Sequence, residues 1–267
     1  MIKKTTVSSD NELKQYLMNK ANSYERLYHY TTYEALLSII KGKCFRLSRL
    51  DLLNDKAELK LGKHNEMIKH YVMSFTREKE YVSMWAMYGK TNGIKLRLDF
   101  DGKNFFNKKA KIYSDSEKHN QINKYTTKKM FELEPDNYRE PIQFSDIAYL
   151  DKTSNTIKHN TRPFKGLSVN EKIIDSITGF VKYDAWEFEK ETRLKVQLNK
   201  DNYSTDKELP EYIYYSIPDD LIRSFHVTYN PWMSQILKEE IQKSLSRICE
   251  YEIQCDDSAD DGEISVL

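Results

Sequence analysis

The 267-residue chain holds only 8 glycines, 6 prolines and 3 cysteines. Cys44, Cys249 and Cys255 are odd in number and form no CxxC pair, which argues against a disulfide framework and fits a reduced, cytoplasmic protein. No apolar run reaches membrane-spanning length. The opening MIKKTTVSSDNELKQYL has lysines without an apolar stretch behind them, so it does not read as a secretion signal. With 42 basic and 41 acidic residues, the chain lacks the one-signed field that pulls proteins onto nucleic acid or membrane, although local patches stay open. No GxGxxG follows a strand, and neither GxxxxGK[ST] nor HExxH occurs, so dinucleotide-fold, P-loop and zincin chemistry have no support. His64 and His70 lie six apart, on different faces of any helix, which argues against a zinc pair.

What is abundant is aromatic: 19 tyrosines and 11 phenylalanines. Strand-like and helix-like segments mix without a βαβ rhythm, so the expected class is α+β in a single domain spanning residues 1–267. A first helix is expected over Asp10–Lys20, with Leu13, Tyr16 and Leu17 as its apolar stripe. RLYHYT (Arg26–Thr31) reads as a strand. Thr31 and Glu34 have capping-box spacing before the helical run ALLSII, and Gly42 stands at its C′ position. CFRLSR, YVMSFT and GIKLRLDF alternate as strands, LDLLNDKAEL reads as a loop, and VSMWAMY is a short helix closed by Gly89.

From residue 101 to 170 the rhythm is lost. This segment is expected to be an irregular insertion across a core of residues 24–100 and 171–255, with a helix near His119–Leu133 and a strand at Ile147–Leu150. Glu171–Lys182 reads as a helix, Glu211–Ser216 and Ile222–Tyr229 as strands. Pro231 at N1 opens a last helix, YEIQC closes the core, and an acidic tail (256–267) follows.

The stretch WEFEKETRLKV, from Trp186 to Val196, carries Glu187, Glu189, Glu191 and Arg193 at every second position. Along a strand these four line one face. Three adjacent carboxylates repel and need a cation, a ligand or water. Spacing alone leaves two readings open: a solvated strand face with Arg193 as counter-ion, or the wall of an active site.

Several pieces in order carry a family resemblance: LYHYTTYEALLSIIKGKCFRLSRLDLLND, then SFT, MWAMYG, GIKLRLDF, KYDAWEFEKETRL and IPDDLIRSFHVTYNP. Together, over about Leu27 to Ser244, they resemble the bacterial family filed as domain of unknown function 2971. The loop reads LLND where that family more often has FND, and the glycine expected near Val227–Tyr229 is missing. The family in turn looks like a distant member of the ADP-ribosyltransferase fold, a mixed split-sheet core with helices around it.

That resemblance implies NAD as substrate, with His29 on the first strand, Tyr88 or Ser74 on a middle element, and Glu191 on the late strand. It implies Glu191, Glu189, His29 and Tyr88 as catalytic residues. His29, Tyr30, Thr31, Ser74, Trp85, Tyr88, Arg49 and Arg193 are the implied NAD contacts. A carboxylate beside the ribose would stabilise the oxocarbenium-like charge that develops as nicotinamide leaves, and Glu189 would act on the acceptor nucleophile. The acceptor is a protein, a nucleic acid or water, in a bacterial toxin or phage-defence setting. Read without the family, His29 is a core histidine, while Tyr88 and Trp85 are packing residues. Two alternatives stand beside this: a binding module using the lysine-rich segment Lys103–Lys129, and a metal-dependent nuclease echoing the ExK triplet at Glu58–Lys60 with Asp51 or Asp55 upstream.

Overall fold

A computed structural model describes residues 10–55, 57–61, 68–77, 82–89, 92–99, 110–114, 131–133, 138–158, 163–199 and 209–258. Helix α1 (Asp10–Ala21) precedes β1 (Arg26–Thr32), α2 (Tyr33–Gly42) and β2 (Cys44–Arg49). Then come β3 (His70–Thr76), β4 (Gly93–Asp99), β5 (Ile112–Ser114), β6 (Phe131–Glu132), β7 (Tyr138–Asp146) and β8 (Ala148–Leu150). Helix α3 (Glu171–Ser176) leads to β9 (Val181–Tyr183), β10 (Glu191–Leu198) and β11 (Tyr212–Ser216). The chain closes with α4 (Asp219–Arg223), β12 (His226–Tyr229), α5 (Gln235–Ile248) and β13 (Gln254–Asp256). The class is mixed α+β, built on a large, mostly antiparallel sheet with no barrel.

The main sheet runs β13-β12-β4-β1-β3-β2-β11-β5-β6, with β10 on β3 and β7 on β10. Strand β3 is where it branches. One edge of β3 pairs with β10 along its whole length, from Glu191 opposite Thr76 to Gln197 opposite His70. The other edge is shared: Thr76 faces Tyr28 of β1, while Val72 and Tyr71 face Ser48 and Arg49 of β2. Between those contacts β1 and β2 part company. The Ser74 carbonyl in the gap is taken by the His29 ring, Nδ1 at 2.8 Å.

Alternation then decides the two faces. One buries Leu27, Phe45, Leu47, Met73, Phe75, Leu96, Leu194 and Val196 in a single core with Leu36, Ile39 and Ile40 of α2 and Ile241 and Leu245 of α5. Each such side chain contributes about 1.5–3 kcal/mol by leaving water. The opposite face presents Tyr28, Tyr30, Ser74, Thr76, Glu191, Arg193 and Lys195. A second apolar cluster, formed by α1, β8, β9 and α3 around Leu13, Leu17, Tyr149, Ile177 and Phe180, is separate from the first.

Several expected boundaries move, each for a local reason. Helix α2 is capped by Thr32, which accepts from the Ala35 amide, and Lys43 rather than Gly42 takes the left-handed turn. The helix expected over Glu171–Lys182 ends at Ser176, because Gly179 at φ +79 turns the chain into β9, parallel to β8. The strand expected over Ile222–Tyr229 begins as α4 and is extended only from His226. The last helix starts at Gln235 behind a Ser234 cap, since Asn230 accepts the Trp232 amide and holds Pro231 in a preceding turn. Strands β5 to β8 lie within the presumed insertion, and β7 is bonded to β10, so that segment supplies part of the main sheet. Most of the helix expected near His119–Leu133 and most of the acidic tail lie outside the described residues, but at its end Phe131–Glu132 forms strand β6 instead of helix.

Candidate functional site

The acidic stretch is not one strand. Asp184–Glu189 winds as a 3-10 helix, Lys190 turns left-handed at φ 43, and extended backbone begins only at Glu191. Glu187 therefore leaves the row and pairs with Lys190 at 3.7 Å, partly in solvent. Glu189 and Glu191 both turn inward and are each 3% exposed.

Buried carboxylates persist only with partners, and these have several. Arg193, fully buried, reaches Glu191 from Nε to Oε1 at 2.5 Å and from Nη2 to Oε2 at 3.3 Å. Its other edge grips Glu58, Nη1 on Oε1 and Nη2 on Oε2 at 3.0 Å, and Nη1 also donates to the Gly179 carbonyl at 2.9 Å. Lys182 of β9 bridges the two acids, 2.6 Å from Glu189 Oε2 and 2.8 Å from Glu191 Oε2. Tyr88 donates its hydroxyl to Glu189 Oε1 at 2.5 Å. Tyr149 accepts the Glu191 amide at 2.9 Å.

The two carboxyls respond differently. Burial pushes Glu191 up, but Arg193 and then Lys182 outweigh it and hold the group well below the usual carboxylate range. Glu189 is raised, by burial first and by the Glu191 charge second, with Lys182 opposing. Glu191 is thus a fixed anion, and Glu189 is the group poised to exchange a proton. Tyr88 is shifted upward by burial and by Glu189, so it stays a neutral donor.

Tyr88 arrives on a π turn, Trp85–Gly89, a conformation that recurs at functional sites. Trp85 is fully buried, edge-on to Tyr30 at 4.8 Å, and with Met84 these rings pack against Tyr88, Phe188 and Trp232. A Cβ on Gly93 would fall 2.1 Å from the Gly89 Cα, so the turn and the start of β4 touch backbone to backbone.

Among the sequence-predicted residues, Glu189, Glu191, Arg193 and Tyr88 are brought into one cluster. Tyr30 and Trp85 lie in the adjoining aromatic patch. His29 does not join them. It is on the other face of β1, against Phe75 with ring centroids 5.8 Å apart. Burial lowers it to about 4, so it is neutral at physiological pH. Thr31 follows His29 on that same face, opposite Ile94. Ser74 contributes its carbonyl to His29. Arg49 is occupied by Asp51 and the Leu209 carbonyl, away from the cluster.

Two members of the cluster are not among the site residues that the sequence singles out: Lys182 lies at the end of the helix expected over Glu171–Lys182, and Glu58 belongs to the ExK triplet. Asp55 places Glu58 by accepting the Ala57 amide through Oδ1 and the Glu58 amide through its carbonyl. Asn-Asp before a charged pair was the available signal. Among the described residues, no group of three or more potential ligands could hold a metal ion.

The family model described as "Protein of unknown function (DUF2971)" matches residues 84–194. That stretch runs from the π turn of Trp85 and Tyr88 to Arg193, so it contains most of the cluster. The likeness to this family drawn from the sequence motifs holds there. No curated protein and no solved structure matches the chain.

Proposed function

We propose that this chain cleaves the nicotinamide–ribose bond of NAD in the manner of an ADP-ribosyltransferase, with Glu189 as the working carboxylate and water or a macromolecule as acceptor. One observation carries the reading. Glu58, Glu189 and Glu191 bring three negative charges to the cluster, and Lys182 and Arg193 two positive ones. Among the described residues the cluster is one positive charge short, and Glu189 is the member left under-compensated.

A buried site with a surplus anion favours a ligand on which positive charge develops. The sugar ring acquires such charge as nicotinamide departs, and an ionised Glu189 stabilises it more in the transition state than in the ground state. The hydroxyl of Tyr88 fixes the carboxylate, and the half-buried rings of Tyr88, Phe188 and Trp232 offer faces for a planar heterocycle. Glu191 and Arg193 hold the frame. His29 closes the open edge of β3 at the branch of the sheet, and on this reading it does not touch the ribose. The branching of β3 between β1 and β2 is compatible with a split-sheet core of that fold.

Complete enclosure of Glu191 favours a second reading, a partner-binding module in which the ion cluster is only scaffolding. The nuclease reading loses Glu58, whose two oxygens both go to Arg193. Incubating the protein with NAD and measuring released nicotinamide separates the first two. The enzyme reading expects release by the wild type and its loss in Glu189→Gln, whereas the module expects none from either.

A further inference from the structure

We propose that Lys182 is the positioning residue that holds Glu189 ionised beside the fixed Glu191 carboxylate and so readies it for its part in the site. Its part in turnover rests on the reading above, but its effect on Glu189 does not. The Nζ sits between the two acids, 2.6 Å from one and 2.8 Å from the other, and each acid offers it a single oxygen. Glu191 spends its remaining valence on Arg193. Among the described residues Glu189 is touched by no second cation, only by the neutral hydroxyl of Tyr88. Lys182 is thus the sole cation in contact with Glu189 among the described residues.

The ammonium is itself constrained. It is buried, faces the Trp186 ring at 5.2 Å, and is carried by the short strand β9 rather than by a flexible loop. Although burial alone would discharge it, Glu191 and then Glu189 keep it protonated. The other groups around the pair are Tyr88 on the π turn, Arg193 on β10, Glu58 on the turn after LLND, and Tyr149 on β8. None of these supplies Glu189 with a compensating charge by contact. Without Lys182, burial and the Glu191 charge would act on Glu189 unopposed, and the acid would keep its proton at neutral pH.

The measurement is a carboxyl-carbon NMR titration of the full chain labelled at glutamate, with Glu189 and Glu191 assigned from their single Gln variants. Lys182→Met should raise the Glu189 midpoint by at least one pH unit, a tenfold gain in proton affinity. Lys182→Arg should restore most of it. A folded Lys182→Met protein with an unmoved Glu189 midpoint overturns the proposal, as does an arginine variant that behaves like methionine. Should the methionine variant not fold, the wild type decides: the Lys182 Nζ nitrogen shift must titrate in step with the Glu189 carboxyl, and independent titrations refute the coupling. Where NAD is cleaved, the acid limb of kcat/KM moves up with the carboxyl midpoint. Where it is not, the enzyme reading fails while the carboxyl titration still decides the role of Lys182.

Discussion

Arg193 has no exposed surface and joins two carboxylates that are 135 and two residues away in sequence. Arg193→Leu leaves Glu58 and Glu191 buried without their shared cation, a change that costs about 3–5 kcal/mol. Arg193→Lys recovers little of it, because a lysine lacks the fixed, forked donors that Arg193 places on Glu191, on both oxygens of Glu58 and on the Gly179 carbonyl. Urea unfolding of both variants checks this. Glu189→Gln behaves in the opposite way. A carboxyl whose folded pKa is raised costs stability above that pKa, and the cost fades as pH falls through it. The amide variant should therefore be at least as stable as wild type at pH 8, with a shrinking margin towards acid pH. Loss of turnover without loss of stability would mark a functional carboxylate. Lys195 gives a third test. It is buried, bonded at 2.5 Å to the Thr178 carbonyl and stacked 4.3 Å from Phe180, and burial lowers its pKa well below 10.5. The native state then binds fewer protons than the unfolded chain below pH 10.5, so stability rises with pH there. Melting curves from pH 7 to 10 should show this rise in wild type and a flatter one in Lys195→Met.

At the scale of elements, the turns that aim side chains matter more than the strands that carry them. Asp55→Ala removes the side-chain acceptor for the Ala57 amide and should cost about 1 kcal/mol, as other lost caps do. The same change loosens Glu58 and hence Arg193. Gly93→Ala places a methyl 2.1 Å from the Gly89 Cα and must push the π turn off β4, carrying Tyr88 away from Glu189. A raised Tyr88 mobility with an intact sheet, read by NMR, would bear this out. Most elements here were legible: RLYHYT, CFRLSR and GIKLRLDF alternate, and strands form there. WEFEKE also alternates, yet Trp186–Glu189 winds as the end of a 3-10 helix that a left-handed Lys190 closes, so the period-two pattern there carries no strand. Gly42 is the expected left-handed residue after α2, but Lys43 takes that turn, and Lys190 takes another inside what reads as a continuous strand. Charge partners were less legible still, since Lys182 and Glu58 reach the cluster only through tertiary folding.

For the whole molecule, one branched strand organises everything. Strand β3 joins β1, β2 and β10, so one sheet face makes the apolar core and the other receives the ion cluster. Sequence alternation assigned each residue to a face but could not show that His29 and Glu191, both pointing inward from their strands, point to opposite sides. The account centres on Glu189, and nicotinamide release from NAD by purified wild type, Glu189→Gln and Glu187→Gln tests it most directly. The account predicts release by the wild type and by Glu187→Gln, whose side chain lies outside the cluster. In Glu189→Gln, release should fall by about two orders of magnitude at similar NAD affinity, because the lost interaction belongs to the transition state. A folded wild type that releases no nicotinamide at saturating NAD, or a Glu189→Gln variant as active as wild type, would contradict it.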